Sequence, residues 1–519
     1  MLGVFIYFVI GLYPYKTTES IITKLSGHLS AKLTFMEAIS LSLCVALLVI
    51  FLTLCFIFAF KSNSNDTRLP LPPGSYGWPI IGETMKFFYN PEKFVTDRMT
   101  KYSPEIFKTK FFNEKIAVIC GPNGHKFLFS NDHKLFSQFH PKAMEKLFLS
   151  SSSRKKSHAE EGASLDKDLK LVRGPGVFKT DALIHYVAAM DSIIQQKIKA
   201  ELNEVEVVKA YPFSRNITLT LACRYFLGME ISAERIARLV GYFDQVTLGM
   251  HSMPLDFPGT TFYYACKAAD VIRKELSGII QEKKAEMAAA KEGGAPKAQD
   301  LLSHMIAASC EDGSEAEAEI GDKIMGLIVA GYGTVSTAIT YFMKYVGERP
   351  DIYHKILSEQ LEISKGKQAG EYLSWDDMQK MKYSWAVICE VMRFTPPVQG
   401  NFRVALTDFT YAGYTIPKGW KVFWTVTTTQ KNPEYFREPE KFDPSRFIDG
   451  DGPPPFTYVP FGGGPRMCPG KEYSRLVVLA FVHNVVKKFK WEVLFPNEKI
   501  LGTMLPIPEK GLPIRLQAC

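Results

Sequence analysis

The chain's nine cysteines, at 44, 55, 120, 223, 266, 310, 389, 468 and 519, contain no CxxC pair and form an odd, scattered set. That argues against a zinc framework or a disulfide scaffold and points to a reducing compartment. No basic run with interleaved aromatics is present, so the formal net charge of +8 is no argument for nucleic acid. It suits an anionic partner or a membrane surface equally with plain unevenness of surface charge. No repeat with a period of about 20 to 50 residues appears, which speaks against a solenoid. No long flexible linker divides the chain after residue 85, so its 519 residues read as one large domain with a deep core. Tryptophan is scarce, six in all, and none lies between Phe136 and Arg173.

What is present is led by Phe461-Gly-Gly-Gly464-Pro-Arg466-Met-Cys468-Pro-Gly470. The glycines permit a tight turn whose backbone can lie flat against a planar group. Cys468 stands at the mouth of that turn, with nearby amides, Gly470 among them, able to stabilise a thiolate. The setting is that of a haem-thiolate ligand. Arg466 offers a charge-assisted fork to a haem propionate, and Phe461 packs beside the sulfur. A glycine-rich loop around a buried free cysteine is the plain alternative for a lone cysteine. The segment resembles the haem-binding signature of the cytochrome P450 superfamily, Phe-x-x-Gly-x-Arg-x-Cys-x-Gly, with every fixed position met. The resemblance implies a mainly α fold with small β-sheets, haem b, and electrons from NADPH through a cytochrome P450 reductase.

Near the N-terminus, residues 38–60 run without a charge and are rich in Leu, Ile, Val and Phe, long enough to cross a bilayer as a single helix. Residues 61–80 follow as a linker with a proline-rich hinge, and 81–519 form the catalytic domain. This organisation predicts a single-pass protein of the endoplasmic reticulum membrane with its body in the cytosol. Lys16, Lys24 and Lys32 ahead of the span blunt the positive-inside asymmetry, so Met36 is the expected natural start and 1–37 an extension of doubtful status. Retention of residues 1–35 in the intact mass of the native protein would overturn that expectation.

Along the body, periodicity predicts helices over 91–102, 181–202, 217–227, 233–249 and 261–291, and two short strands within 106–119. The segments 150–164 and 288–297 read as exposed connections. A largely apolar helix over 322–347 carries Ala330-Gly331-Tyr332-Gly333-Thr334-Val335-Ser336. Two glycines in mid-helix cost about 1 kcal/mol each against alanine, a cost that room for a bound gas or substrate offsets, as close helix packing also does. Glu390-Val-Met-Arg393 sets acid and base on one helix face, commonly no more than a surface ion pair.

The resemblance gives these stretches roles. It implies that Ala330, Gly331 and Gly333 line an oxygen and substrate groove and that the Thr334 hydroxyl helps deliver protons. Gly333 stands where the family has an acid, leaving Thr334, water or Ser336 for that delivery. It implies that Glu390, Arg393 and the Arg446 of Phe442-Asp-Pro444-Ser-Arg446-Phe447 form a structural network. Val398, Gln399 and Met504 become pocket wall, and Arg403 a second propionate partner. The family's Trp-x-x-x-Arg helix has no counterpart between Phe136 and Arg173, where Lys170 and Arg173 are the available bases.

At finer grain, residues 71–84, Phe257-Pro-Gly-Thr260, the segment from Tyr414 to Trp420 and the Cys468 loop resemble plant oxidases of triterpenoids, the beta-amyrin 28-monooxygenase-like family. The implied reaction is hydroxylation of a large apolar polycycle, on repetition oxidation to a carboxylic acid. Diterpenoid hydroxylation is the near alternative. An isomerase or lyase independent of O2, and a non-catalytic haem or sterol binder, are the alternatives of other classes.

Overall fold

The computed structural model describes residues 43, 45–51, 53, 70–79, 81–139, 141–151, 153–154, 178–228, 232–250, 252–292, 300–309, 314–368, 370–448, 450, 452–501 and 505–519. The expected extension at 1–37, most of the span at 38–60, the linker at 61–69, and Lys170, Arg173 and Met504 lie outside them. Residues 45–51 are helical and exposed. The described residues divide into two compact units, one running to Ile119 and including Arg403–Phe423, the other Cys120–Phe402 with Trp424–Cys519.

The first unit is built on the antiparallel strands Ile106–Phe111 and Glu114–Ile119, in register Ile106 with Ile119. The helix Pro91–Lys101 starts where its residues dictate: the Asn90 side chain accepts from the Lys93 amide at 2.9 Å and proline occupies the first turn. Phe87, Phe94, Phe111 and Phe423 pack as one aromatic core. Beneath it, buried Glu83 accepts from Arg98 Nε at 3.0 Å and from the Thr109 hydroxyl at 2.8 Å. The proline-rich hinge is more than a spacer. The Lys108 amide donates to the Pro73 carbonyl at 2.8 Å, and Gly74 takes φ +148° where a Cβ would strike the Lys108 carbonyl.

Helices dominate the second unit. At its centre runs the 34-residue helix Ser314–Gly347, packed by Ala210–Leu227, Thr261–Glu292, Lys382–Phe394 and Lys471–Val486. Among the described residues it is the helix long and apolar enough to cross a membrane, yet it is mostly buried inside the protein and serves as core. A three-stranded sheet, Val207–Lys209, Pro513–Ala518 and Phe489–Val493, closes one end of this unit. The expected helix over 181–202 is two helices, Thr180–Ile184 and Val187–Leu202. Neither glycine nor proline marks the break, so periodicity reads through it. The expected helix from 217 begins at Ala210, its Pro212 tolerated in the first turn. Residues 151, 153 and 154, expected as loop, are helical.

The core of this unit also holds polar groups. His483 Nδ1 faces Gln360 Oε1 at 2.8 Å and its Nε2 faces Lys487 Nζ at 2.6 Å. Lys487 can only donate, which makes the imidazole a neutral Nδ1–H tautomer by inference. Burial, reinforced by Lys487, pushes the His483 pKa down to about 3.

Candidate active site

Cys468 closes a turn that its neighbours define sterically. The Cys468 amide donates to the Phe461 carbonyl at 2.9 Å, the Met467 amide to Gly464 at 3.1 Å and the Gly462 amide to Val459 at 3.0 Å. Gly462 and Gly464 take φ of +68° and +65°, conformations that favour glycine. A Cβ on Gly463 would lie 2.5 Å from the Phe129 ring, and one on Gly464 would meet the Phe129 carbonyl. The glycine run therefore lies against the helix Gly121–Ser130, whose Phe129 stacks edge-on to Trp424 at 5.1 Å.

Cys468 is exposed, three positions ahead of the first residue of the helix Lys471–Val486. Its Sγ sits 4.0 Å from where a Cβ on Gly470 would be. A helix N-terminus favours the anionic form of sulfur. Cys223 and Cys389 contrast with it: burial pushes each of these thiols up to about 12. Burial raises Cys120 as well. An accessible sulfur at a helix N-terminus can bind a soft metal, whereas those buried thiols are inert.

Arg466 is held by protein groups that sequence reasoning did not find. Its Nε pairs with the buried carboxylate of Asp132 at 3.0 Å, and its Nη2 meets His133 Nδ1 at 3.1 Å. Asp132 and His133 lie in a turn more than 300 positions away, and no local pattern could have tied them to Arg466. Arg403 belongs to the first unit and is buried there.

On the central helix, Ala330 is exposed and Thr334, one turn on, half-exposed, although the flanking Tyr332, Gly333 and Val335 are buried. Ala330 and Thr334 thus form an open stripe on an otherwise mostly buried helix. Thr334 Oγ1 donates to the Ala330 carbonyl at 2.7 Å. Ser336 is fully buried and donates to the Gly333 carbonyl at 2.8 Å, which turns it away from the stripe. The two glycines differ. A Cβ on Gly331 would meet the Phe226 ring at 3.1 Å, so that residue serves close packing; one on Gly333 would find Leu505 at an ordinary 3.9 Å.

Glu390, Arg393 and Arg446 are brought together. Arg393 donates to both Glu390 oxygens, from Nε at 2.7 Å and Nη2 at 2.8 Å, and to the carbonyls of Gln430 and Pro439. Arg446 Nε stands 3.5 Å from Glu390 Oε1. Val398 is an exposed apolar side chain after the helix, and Gln399 Oε1 accepts from the Thr427 hydroxyl at 3.3 Å.

The model of the family Cytochrome P450 matches residues 72–512. This chain belongs to the cytochrome P450 family. A beta-amyrin 28-monooxygenase of Medicago truncatula is 49% identical over 454 residues, covering 86% of this chain and 92% of the relative. A beta-amyrin 6-beta-monooxygenase of Solanum lycopersicum is 46% identical over 458 residues, 88% of this chain and 94% of the relative. Among solved structures, a retinoic acid-bound cyanobacterial P450 superposes with a TM-score of 0.73 at 30% identity, covering 87% of this chain and 100% of its own. The fold is the mainly helical P450 fold with small sheets. As a P450 monooxygenase the protein uses haem b and electrons that a reductase supplies from NADPH.

Proposed function

We propose that this P450 hydroxylates a large apolar triterpene of the amyrin type, with Cys468 as the thiolate ligand of haem b. The observation that carries the reading is the exposed Cys468 at the mouth of a turn in which Gly463 and Gly464 have no room for a Cβ and Gly462 takes a left-handed φ of +68°. That geometry fits a flat macrocycle and a sulfur ligand together. The relatives that oxidise beta-amyrin, at nearly half identity over most of the chain, support the substrate class.

When bound, the haem supplies reductive activation of O2 and insertion of one oxygen atom into a C–H bond. The chain's own residues do the rest. Cys468 presents its sulfur at the N-terminus of Lys471–Val486, where the helix dipole favours thiolate over thiol. Phe461, Gly464 and Gly470 shape the turn around it. Arg466, oriented by Asp132, is a partner for a haem carboxylate. Thr334 has its hydroxyl proton turned to the Ala330 carbonyl, which leaves its oxygen lone pairs to accept a hydrogen bond from a water and hold that water in place as the proton carrier. Ala330, Gly333, Val398 and Gln399 wall the substrate and keep water out, while Gly331 sets helix packing. Residues 38–60 anchor the protein in the endoplasmic reticulum membrane with the catalytic body in the cytosol; extraction of the native chain from microsomes by alkaline carbonate would overturn the anchor.

Co-expression with a plant P450 reductase and a beta-amyrin cyclase tests the activity. Mass spectrometry is expected to find an oxygenated amyrin, absent with Cys468→Ser, in membranes whose carbon-monoxide difference spectrum has the thiolate form. A thiolate spectrum without oxygenated amyrin would reject the substrate class in favour of other terpenoids. A thiolate spectrum that survives Cys468→Ser would reject the ligand.

A further inference from the structure

Three helices converge on Tyr332, the residue between the two glycines of the central helix. Its ring is fully buried and its hydroxyl receives a hydrogen bond from Arg215 Nη2 on Ala210–Leu227. The same hydroxyl donates to Asp244 Oδ1 on Ala233–Met250 at 3.3 Å and lies 3.5 Å from Thr247 Oγ1. Arg215 is itself paired with Asp244 and donates to the Tyr211 hydroxyl. The guanidinium carbon stands 4.7 Å from the Tyr332 ring centre.

The neighbours of Tyr332 are held from the buried side too. Phe226 fills the space over Gly331. The Gly333 carbonyl accepts two hydroxyls, Ser336 at 2.8 Å and Thr337 at 3.0 Å. Side-chain hydroxyls on a helix carbonyl compete with the backbone ladder and bend it locally. Two glycines in three residues make this the turn least fixed by its own propensity. Three successive residues, 331 to 333, are thus tied down by groups from outside the turn or from the next one. The fourth, Thr334, has its side chain on the open stripe.

We propose that the Arg215–Tyr332–Asp244 cluster is a positioning device for Thr334. It holds the double-glycine turn from behind, so that the threonine hydroxyl keeps one place in the reaction space although position 333 carries no acid beside it. Tyr332 touches neither substrate nor haem in this role. It acts through the backbone, by fixing the residue two positions before Thr334. This inference rests on the assignment of proton delivery to Thr334.

Tyr332→Phe is the test, because it keeps the ring over Arg215 and leaves the Arg215–Asp244 pair in place while removing the hydroxyl. Haem content, melting temperature, KM, and product formed per NADPH consumed are measured on the full chain with its reductase. Coupling is expected to fall about fivefold, the equivalent of one hydrogen bond, with haem content and KM within about twofold of the parent. Asp244→Asn, which keeps the shape and weakens the same hydroxyl contact, is expected to move coupling in the same direction and carries the test if Tyr332→Phe gives no holoprotein. Coupling that stays at the parent level, or that falls only in proportion to haem content, overturns the proposal. Thr334→Ala separates the two readings. If it uncouples the enzyme and Tyr332→Phe does not, the positioning device alone is wrong; if it leaves coupling intact, the Thr334 assignment fails and the device fails with it.

Discussion

Two buried arginine clusters of the second unit, around Arg393 and around Arg215, are built on opposite principles. In the first, Arg393 and Glu390 sit one helical turn apart, both fully buried, and every Arg393 guanidinium nitrogen has a partner, while Arg446 Nε stands 3.5 Å from Glu390 Oε1 without a hydrogen bond. In the second, Arg215, Tyr332 and Asp244 come from three helices, Arg215 Nε has no hydrogen-bond partner, and the Asp244 side chain is 39% exposed. A local pair whose arginine is fully hydrogen-bonded has one arrangement and acts as an anchor. A cluster shared among helices, with a donor to spare and a carboxylate at its edge, reports and controls how those helices sit. Burial raises the Asp244 pKa against the opposing pull of Arg215.

Removal of Glu390 should break the comparison hardest. Glu390→Ala leaves two guanidinium groups close together without their carboxylate, at a cost of about 3–5 kcal/mol. Expression is expected to yield little holoprotein; a normal thiolate spectrum per milligram would show that the cluster does not hold this region. Arg215→Leu should cost less, about 1–3 kcal/mol, because Asp244 can turn to water while two tyrosine hydroxyls lose a partner. Chemical denaturation would reveal it, and a loss as large as that of Glu390→Ala would erase the distinction between anchor and shared cluster.

A third buried cluster, around His483, sharpens the contrast by pH. The unfolded imidazole titrates near 6.5 and the folded one near 3, so the unfolded state binds the extra proton between those values. Stability from this group is complete above pH 6.5 and is lost as pH falls, by about 1.4 kcal/mol per pH unit in that window. Melting temperatures from pH 7.5 to 5 should show the decline, and His483→Gln should flatten it. The smallest effect expected is on the stability of Tyr332→Phe, about 1 kcal/mol for one hydrogen bond. A much larger loss would mark the hydroxyl as a fold determinant.

Local chemistry is what the sequence made readable. Phe461 to Gly470 and Glu390 with Arg393 are short patterns whose partners lie within a turn or two, and the long apolar helix declared itself by its period. Strand pairing at 106–119 and the helix start at Pro91 were legible for the same reason. What stayed hidden depends on distant packing. Asp132 beneath Arg466, Phe129 beneath Gly463, and Arg215 with Asp244 around Tyr332 are ordinary residues in their own segments. The break at His185–Tyr186 is likewise imposed from outside, since nothing between 181 and 202 interrupts the apolar period. Gly331 and Gly333 looked alike in sequence; only the position of Phe226 separates a packing glycine from one facing space.

The turn that bears Cys468 rests on a helix made early in synthesis. Arg466 meets His133 across 333 positions of chain, and at about 5–20 residues per second the ribosome needs roughly twenty to sixty seconds to span that interval. The floor of the turn, Phe129, is therefore waiting long before the turn exists. Cofactor capture belongs to the end of translation, after residue 468 has left the ribosome, and until then Phe129 lacks the turn that covers it.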